Sequence, residues 1–295
     1  MEDNGSMKQF NLNDSSILRL VQIALAEDIG SGDLTSEALI EPDANGHAVI
    51  IAKADGVVAG TVVAGLVFGQ VDRTTTCDWQ VEEGAKVQAG TVLAHLHGPV
   101  RGLLGAERTA LNFLQRMCGV ATQTRKYVDA IAGTGAFILD TRKTIPGWRE
   151  LDKYAVGMGG GVNHRMGLFD MVMIKDNHIA AHGGIAGAVT AVRERLKEWG
   201  QADVKIEVET KSLDEVSEAV SCEGVGRIMF DNFPVDLMRQ AVILVGDRCE
   251  TEASGGISIA GVREIAETGV KYISVGALTH SAPALDISLE LHGAA

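Results

Sequence analysis

The sequence predicts an α/β protein in which a β-rich first part is followed by a barrel of repeated strand–helix units. From residue 137 onward the same order recurs: a short apolar run, a polar residue at its end and an amphipathic helical segment. The polar residues lie 22 to 35 residues apart, which is room for a strand, a helix and two short connections. These residues are Asp140, Lys175, Glu209, Asp231, Ser254 and Gly276.

Two observations favour a barrel over an open, doubly wound sheet, which stays the alternative. Every predicted strand ends in a polar or small residue of the kind found at the C-terminal mouth of a barrel. No strand is followed by a GxGxxG or Walker-type loop, which would indicate a nucleotide-binding sheet. Six units are clear, and a weak strand near residues 161–164 would bring the count closer to a complete barrel.

The first hundred residues contain strand-like segments separated by glycine-rich turns. Strands are predicted at residues 47–54, 75–81 and 91–96, with a helix of small residues at 62–71 and a turn-rich connection at 82–90. A long helix is then predicted at 103–131, and Gly119 is expected to interrupt it. Helices between the later strands are predicted at 213–220, 235–244 and 259–267.

Composition and charge exclude several functional classes. The 295-residue chain has a formal net charge of −13, which argues against nucleic acid and anionic membranes as partners. No segment is long and apolar enough to cross a bilayer. The four cysteines form no CxxC pair, so neither a zinc knuckle nor a disulfide framework is predicted, and a reducing, cytoplasmic location is expected.

The first residues carry no apolar signal core. The run Gly5-Ser6-Met7 has the form of a cloning junction. Met7 is therefore expected to be the native start, with residues 1–6 foreign to the protein.

A group of basic residues stands out against the acidic charge of the chain. Its members are Arg142, Lys143, Arg149, Lys153, His164, Arg165, Lys175 and His178. Because several of them follow short apolar runs, we expect them at the mouth of a strand layer, where they form a positive pocket for a small, multiply anionic substrate. A solvated basic face is the less favoured interpretation.

Carboxylates and glycine-rich turns complete the predicted site. Glu207 and Glu209 lie two apart on a strand and share one face, and Asp231 ends the next strand. Such carboxylates can hold Mg²⁺ or stabilise an electron-poor carbon. The turns after the last two strands contain small residues whose backbone amides are suited to phosphate. These residues are Ser254, Gly255, Gly256 and Gly276.

Other residues allow competing interpretations. His95 and His97 could chelate a metal, but no third ligand is evident and structural roles are favoured. His178 and His182 have helical spacing but lack the glutamate of a metalloprotease helix. Lys175 could form a Schiff base in an aldolase-like barrel. The connection at 82–90 is similar to biotinyl or lipoyl carrier domains, but it presents no lysine at a hairpin tip.

An ordered set of motifs closely resembles the quinolinate phosphoribosyltransferase family, also called carboxylating nicotinate-nucleotide pyrophosphorylases. The motifs span nearly the whole chain and lie at residues 32–36, 106–112, 140–147, 159–165, 175–178, 207–209, 231–232, 252–257 and 274–280. One departure is Ile145, where the family usually has Thr.

The resemblance implies a two-domain subunit. Its first domain, residues 7–118, is expected to be an α/β sandwich with a linking helix. Its second domain, residues 119–295, is expected to be an open, incomplete α/β barrel of about seven strands, with a C-terminal segment that packs back on the first domain. A homodimer is also implied, in which Arg108 reaches the active site of the neighbouring subunit.

The activity implied is transfer of phosphoribosyl from phosphoribosyl pyrophosphate to quinolinate with decarboxylation, in de novo NAD biosynthesis. The products are nicotinate mononucleotide, pyrophosphate and CO₂. The alternatives are a related enzyme with another acceptor, such as nicotinate or a molybdate-linked acid, and the aldolase-like barrel. Mg²⁺ is expected with the substrate pyrophosphate, and no organic cofactor is expected.

The resemblance also assigns roles to the site residues. Those implied to bind the two quinolinate carboxylates or the donor are Arg142, His164, Arg165 and Lys175. Lys143 is implied to bind the donor, and Glu209 and Asp231 are implied to lie near the ribose and Mg²⁺. The residues implied to bind the 5′-phosphate are Ser254, Gly255, Gly256 and Gly276. The catalytic set is Lys143, Lys175, Glu209 and Asp231.

Overall fold

A computed structural model of the chain describes residues 15–294. The expected native start at Met7 lies outside the described residues. The helices and strands follow one another as α1 (Ser15–Ile29), α2 (Leu34–Leu39), β1 (Asn45–Ala52), β2 (Gly56–Val57), α3 (Thr61–Val71), β3 (Thr76–Trp79), β4 (Lys86–Val87), β5 (Val92–Pro99), α4 (Val100–Ala130), β6 (Phe137–Leu139), α5 (Arg149–Met158), β7 (Val172–Ile174), α6 (Asp176–Ala181), α7 (Ile185–Glu198), β8 (Ile206–Thr210), α8 (Leu213–Ser221), β9 (Val225–Asp231), α9 (Val235–Val245), β10 (Glu250–Ser254), α10 (Val262–Ala266), β11 (Tyr272–Ser274), α11 (Ala277–His280) and β12 (Ile287–Ala294).

The chain divides into two compact units. The N-terminal unit comprises the residues up to Gln123, Ile145–Gly160 and the residues from Ala282 onward. The barrel unit comprises Thr124–Thr144 and Gly161–Ser281. Within residues 15–294, no helix has the length and apolar character needed to cross a membrane.

The N-terminal unit is built on an antiparallel sheet with the strand order β12-β1-β5-β3, to which helices are added. Alternate residues of β1 are buried, as expected for a strand with one face on the core. Ala48, Ile50 and Ala52 have no exposed surface, and neither do Val63 and Phe68 of α3. The predicted α/β class of this region is confirmed.

The prediction that Gly119 interrupts the long helix is wrong, because α4 runs without a break from Val100 to Ala130. A Cβ atom at Gly119 would overlap the carbonyl oxygen of Pro283. The Leu285 amide also donates to the Gln115 carbonyl, at 3.0 Å. The glycine therefore serves the close approach of a distant segment rather than a break in the helix.

We expect Gly119→Ala to lower the free energy of unfolding by about 1–3 kcal/mol, since the added methyl group forces this segment away from the helix. Gly105→Ala on the same helix is the matched control, because its nearest neighbour would be Val71 Cγ1 at 3.9 Å. The control should be neutral or stabilising by up to about 1 kcal/mol. Urea denaturation measures both, and equal effects of the two substitutions would contradict this explanation.

The barrel unit contains a parallel sheet of six strands with the order β6-β11-β10-β9-β8-β7. Beyond β6, Val162 forms a parallel bridge with Leu139, so the weak strand predicted at 161–164 is present as a single bridge. The Val162 amide donates to the Ile138 carbonyl at 2.8 Å. The open, incomplete barrel is confirmed, with β7 and Val162 at its two ends.

Candidate active site

The polar residues predicted at the strand ends lie at one edge of the barrel sheet. Asp140 and Lys175 directly follow β6 and β7. Glu209 is the second-last residue of β8, and Asp231 and Ser254 are the last residues of β9 and β10. Because all six strands run in parallel, their carboxyl ends face the same side, where ligands bind in α/β folds.

Lys175 and Glu209 form an ion pair at this mouth. Lys175 Nζ donates to Glu209 Oε2 at 2.8 Å, and the lysine side chain is 45% exposed while the carboxylate is 11% exposed. The Lys175 backbone amide donates to His178 Nδ1 at 3.0 Å at the start of α6. In this structure His178 therefore caps a short helix. This structural role accounts for one member of the basic group without requiring that it bind a ligand.

A second acidic residue of the mouth lies close to this pair. Asp176 chiefly, and then Glu209 and Asp231, raise the pKa of Lys211. Glu209 and Asp231 therefore act on one ammonium group, and they lie near the carboxyl ends of the paired strands β8 and β9. Oxygen ligands of this kind suit Mg²⁺, which is commonly held by one or two carboxylates together with substrate phosphates.

The glycine-rich turns after β10 and β11 allow close packing of the backbone. Gly255 has φ +99°, and a Cβ there would overlap the side chain of Asn232 at the end of the neighbouring strand. Asn232 itself has φ +58°, and its amide donates to the Ser254 carbonyl at 2.8 Å. A Cβ on Gly276 would lie 3.2 Å from Cδ of Lys143. Lys143 thus extends over one of the two predicted phosphate turns.

Thr279 holds Lys143 in this position. Its hydroxyl donates to the Lys143 carbonyl oxygen at 2.9 Å. Lys143 and the turn after β11 are brought together because β6 and β11 are neighbours in the sheet. Local sequence patterns carry no sign of this contact between distant segments.

Two guanidinium groups, Arg142 and Arg165, interact electrostatically. Burial, and next the charge of Arg142, lower the pKa of Arg165. Arg165 Nη1 donates to the Met171 carbonyl at 3.1 Å, and this hydrogen bond holds one side of the guanidinium group in place. Paired guanidinium groups repel each other, and an anion between them removes that repulsion.

His164 points into the barrel lumen. Its Nε2 lies 3.1 Å from Glu207 Oε2 and 3.3 Å from Glu252 Oε2, and its ring is only 6% exposed. Its backbone amide donates to Asp140 Oδ1 at 2.8 Å. His164 Nδ1 accepts from the Arg165 amide at 2.7 Å, so both ring nitrogens have protein partners.

The charge of the His164 ring is coupled to the backbone of Arg165. Burial disfavours the charged ring, but Glu207 and Glu252 outweigh it and raise the pKa of His164 to about 9. A proton on Nδ1 displaces the hydrogen bond from the Arg165 amide, so that bond belongs to the neutral ring. At neutral pH His164 is therefore charged, and it pairs with Glu207 and Glu252.

The sequence predicted a role for Glu207 but none for Arg227 or Glu252, which also line the lumen around His164. Arg227 Nη1 donates to Glu252 Oε2 at 2.9 Å, and Ser274 Oγ donates to Glu252 Oε1 at 2.6 Å. The strand periodicity could have indicated them, because a residue two positions before the last residue of a strand lies on the same face of the sheet. That rule, which had paired Glu207 with Glu209, also places Glu252 below Ser254.

Glu250 is the first residue of β10, at the end of the lumen opposite the mouth, and it contacts two cationic groups and a hydroxyl donor. Lys205 Nζ lies at 2.7 Å and Arg227 Nη2 at 3.0 Å from its Oε2, and the Tyr272 hydroxyl donates to Oε1 at 3.2 Å. Arg227 also stacks on the Tyr272 ring, with Cζ 4.2 Å from the centroid. Burial opposes the charge, but Lys205 and Arg227 prevail and lower the pKa of Glu250 to about 2.

This shift predicts acid sensitivity with a defined sign. The folded-state pKa is below the unfolded value, so the stabilisation is present above about pH 4.5 and is lost as the pH falls toward 2. We expect wild type to lose up to about 3 kcal/mol more over this range than Glu250→Gln does. Urea unfolding at pH 7, 4 and 3 measures it, with Glu264→Gln on the exposed face of α10 as control. Parallel pH profiles of Glu250→Gln and wild type would refute it.

Three predicted or candidate residues lie outside the barrel unit. Arg108 is exposed on α4, in the N-terminal unit. Arg149 and Lys153 belong to α5 of that same unit, and Lys153 is fully buried. The basic group of the sequence is therefore divided between the two units. The functional roles predicted for these and the other site residues remain predictions.

Comparison with known proteins identifies the family. Residues 33–118 match the N-terminal domain of quinolinate phosphoribosyl transferase, and residues 120–290 match its C-terminal domain. The chain belongs to the quinolinate phosphoribosyltransferase family. The family resemblance noted in the motifs is thereby confirmed.

Named relatives within the quinolinate phosphoribosyltransferase family cover most of the chain. A mitochondrial quinolinate phosphoribosyltransferase (decarboxylating) of Nicotiana glauca is 45% identical over 287 residues, covering 92% of this chain and 81% of the relative. A probable carboxylating nicotinate-nucleotide pyrophosphorylase of Bacillus subtilis is 42% identical over 280 residues, covering 95% of both chains.

Solved structures agree with this assignment. The nicotinate-nucleotide pyrophosphorylase of Francisella tularensis superposes with a TM-score of 0.88 at 40% identity, covering 94% of this chain and 96% of the other. NadC of Streptococcus pyogenes gives 0.89 at 36% identity, covering 97% and 98%. Both the α/β fold and its open barrel are therefore those of this family.

Proposed function

We propose that this protein transfers phosphoribosyl from phosphoribosyl pyrophosphate to quinolinate with loss of CO₂, giving nicotinate mononucleotide and pyrophosphate in de novo NAD biosynthesis. The observation that carries the proposal is the density of cations at the barrel mouth. The charge of Arg142 acts on Arg165, and Lys143 and Lys175 follow β6 and β7. A dianionic acceptor and a polyanionic donor together require this density.

The donor is bound at the turns after β10 and β11. Backbone amides of the turn at Ser254, Gly255 and Gly256 suit the 5′-phosphate, and Lys143 over Gly276 suits the pyrophosphate. Glu209 and Asp231 would hold Mg²⁺ together with the donor, and the ion would supply positive charge against the pyrophosphate.

The acceptor is held by Arg142, Arg165 and Lys175. Guanidinium forks match the geometry of the two quinolinate carboxylates, and the lysine supplies a point charge. His164, whose pKa is raised to about 9, supplies a further positive charge next to Arg165 in the chain. These contacts hold the pyridine nitrogen in line with the ribose C1, which is a proximity effect.

The reaction needs no covalent enzyme intermediate. Pyrophosphate leaves with the electron pair of its bond to C1, and the positive charge developing at C1 is stabilised by Glu209 and Asp231. The pyridine nitrogen then attacks C1 with its lone pair. The resulting pyridinium ring accepts the electron pair of the bond to the adjacent carboxylate, CO₂ leaves, and a solvent proton takes that position on the ring.

The proposal is tested with purified protein, quinolinate, phosphoribosyl pyrophosphate and Mg²⁺, measuring nicotinate mononucleotide, pyrophosphate and CO₂. Nicotinate in place of quinolinate tests the rival acceptor, since that reaction releases no CO₂. Borohydride trapping with a carbonyl substrate tests the Schiff-base rival at Lys175. No product from quinolinate at any Mg²⁺ concentration would overturn the assignment.

We also propose a homodimer in which Arg108 of one subunit completes the site of the other. Support comes from the exposure of Arg108 on α4 and from its match to the family arginine. Mixing equal amounts of an inactive Arg108→Ala protein and an inactive Lys175→Ala protein should restore about a quarter of the sites' activity, because random exchange makes half of the dimers heterodimers and each of these has one intact site. No recovery, with heterodimers demonstrated, would exclude the shared site.

The compartment proposed is the cytoplasm, without nucleic acid or membrane as a partner. The four cysteines are free thiols within the described structure, as a reducing environment requires. The acidic net charge of −13 supports the exclusion of nucleic acid and anionic membranes as partners.

A further inference from the structure

Four of the eight histidines of the chain lie on one face of the N-terminal sheet. His47 of β1 is paired in register with His97 of β5 on one side and with His292 of β12 on the other. His95 lies two residues before His97, and therefore on the same face. We refer to these four residues as the histidine cluster. It belongs to the N-terminal unit, whereas the strand-end residues of the proposed active site, such as Lys175 and Glu209, belong to the barrel unit.

The closest pair in the cluster already has the spacing of two ligands of one metal ion. His47 Nε2 lies 3.3 Å from His95 Nδ1. Two imidazole nitrogens bound tetrahedrally to Zn²⁺, each about 2.0–2.1 Å from the ion, are about 3.3 Å apart. Sequence reasoning had set aside His95 and His97 for want of a third ligand, and the strand pairing supplies it in His47.

The remaining members can complete the coordination shell. His97 stacks on His47, with centroids 4.6 Å apart, and the His292 ring lies 5.9 Å from His47. Both of these side chains are exposed, so rotation about χ1 and χ2 is available to bring a nitrogen to the ion. Asp78, which pairs in register with His95, offers an oxygen at the opposite edge.

The ligand atoms of the cluster decide which class of metal suits it. Imidazole suits Zn²⁺, Cu²⁺ and Ni²⁺, whereas Mg²⁺ prefers oxygen.

We propose that His47, His95 and His97, with His292 or Asp78 as the further ligand, form a site for a divalent transition-metal ion on the open face of the N-terminal sheet. The ion joins neighbouring strands β1 and β5, and β12 when His292 is the ligand. It therefore stabilises the sheet by binding the folded state and not the unfolded one. The site is independent of phosphoribosyl transfer.

The experiment is titration of Zn²⁺ into the full chain, free of any polyhistidine tag, with Mg²⁺ present to occupy oxygen-ligand sites. Calorimetry should give one ion per chain, and His47→Gln and His95→Gln should each weaken binding about tenfold or more. His182→Gln, an exposed histidine of the barrel unit, is the matched control and should bind as wild type. Wild-type affinity in both cluster variants would overturn the proposal.

Cu²⁺ electron paramagnetic resonance provides a second readout. The cluster should show hyperfine coupling to at least two nitrogens. Ligation by the buried group of His164, Glu207 and Glu252, whose ligand atoms also converge, would show one nitrogen and would overturn the assignment. His97→Gln, at an exposed position, covers the case in which an interior variant fails to fold. Zn²⁺ should raise the melting temperature of wild type but not of His97→Gln.

Discussion

Lys175→Ala is expected to lower kcat/KM for quinolinate by about a hundredfold or more without unfolding the protein. The lysine presents its charge at the end of β7, where 45% of its side chain is exposed, so the substitution removes a ligand and creates no buried cavity. The loss of one charge-assisted contact costs about 1.5–3 kcal/mol, and more when it stabilises developing charge. Steady-state kinetics with circular dichroism measures the effect.

Lys197→Ala is the control for this prediction, because Lys197 is an exposed lysine on α7 of the same unit. It should retain wild-type kinetics. Arg142→Ala should lose activity to a degree similar to Lys175→Ala, since both charges are assigned to the same dianion. Activity within about twofold of wild type in both Lys175→Ala and Arg142→Ala would remove the anion-pocket account.

Arg227→Met is expected to lower the free energy of unfolding by about 3–5 kcal/mol, the largest effect on stability predicted for this protein. Arg227 is 7% exposed and donates to Glu252 and Glu250. Removing it leaves Glu252, which has no exposed surface, with His164 as its remaining cationic partner. Chemical denaturation at pH 7 measures the change.

Arg195→Met is the matched control, because its ion pair with Glu198 is solvent-exposed on both sides. Exposed pairs contribute about 0–1 kcal/mol, so this variant should be close to wild type. The double variant Arg227→Met/Glu252→Gln should be less destabilised than the sum of its single variants, since the two side chains share one network. Equal stabilities of Arg227→Met and Arg195→Met would show that the lumen network does not contribute.

Much of the barrel could be predicted because its pattern is local. Each strand is a short apolar run closed by a polar residue, and each helix begins within a few residues of that point. The helices predicted at 213–220 and 235–244 occur at Leu213–Ser221 and Val235–Val245. The weak strand near Val162 was also predicted, because the six clear strand–helix units are too few for a complete barrel.

Long-range contacts could not be predicted in the same way. Gly119 was misread because a helix propensity argument sees only the chain around it, whereas the segment at Pro283 that requires a glycine is far away in sequence. The same holds for the division of the basic group, since residues 145–160 cluster with the N-terminal unit rather than with the barrel strands on either side.

The sequence by itself determined the α/β class, the strand ends that carry Lys175, Glu209 and Asp231, and the family, because periodicity and ordered motifs are properties of the linear chain. Only the tertiary structure decided that Lys143 lies over Gly276, that Arg227 and His164 meet at Glu252, and that the histidines of β1, β5 and β12 form a cluster. The physical reason is strand order: β6 pairs with β11 and β1 with β12, and the free energy that selects those partners comes from burial across the whole sheet rather than from any local segment.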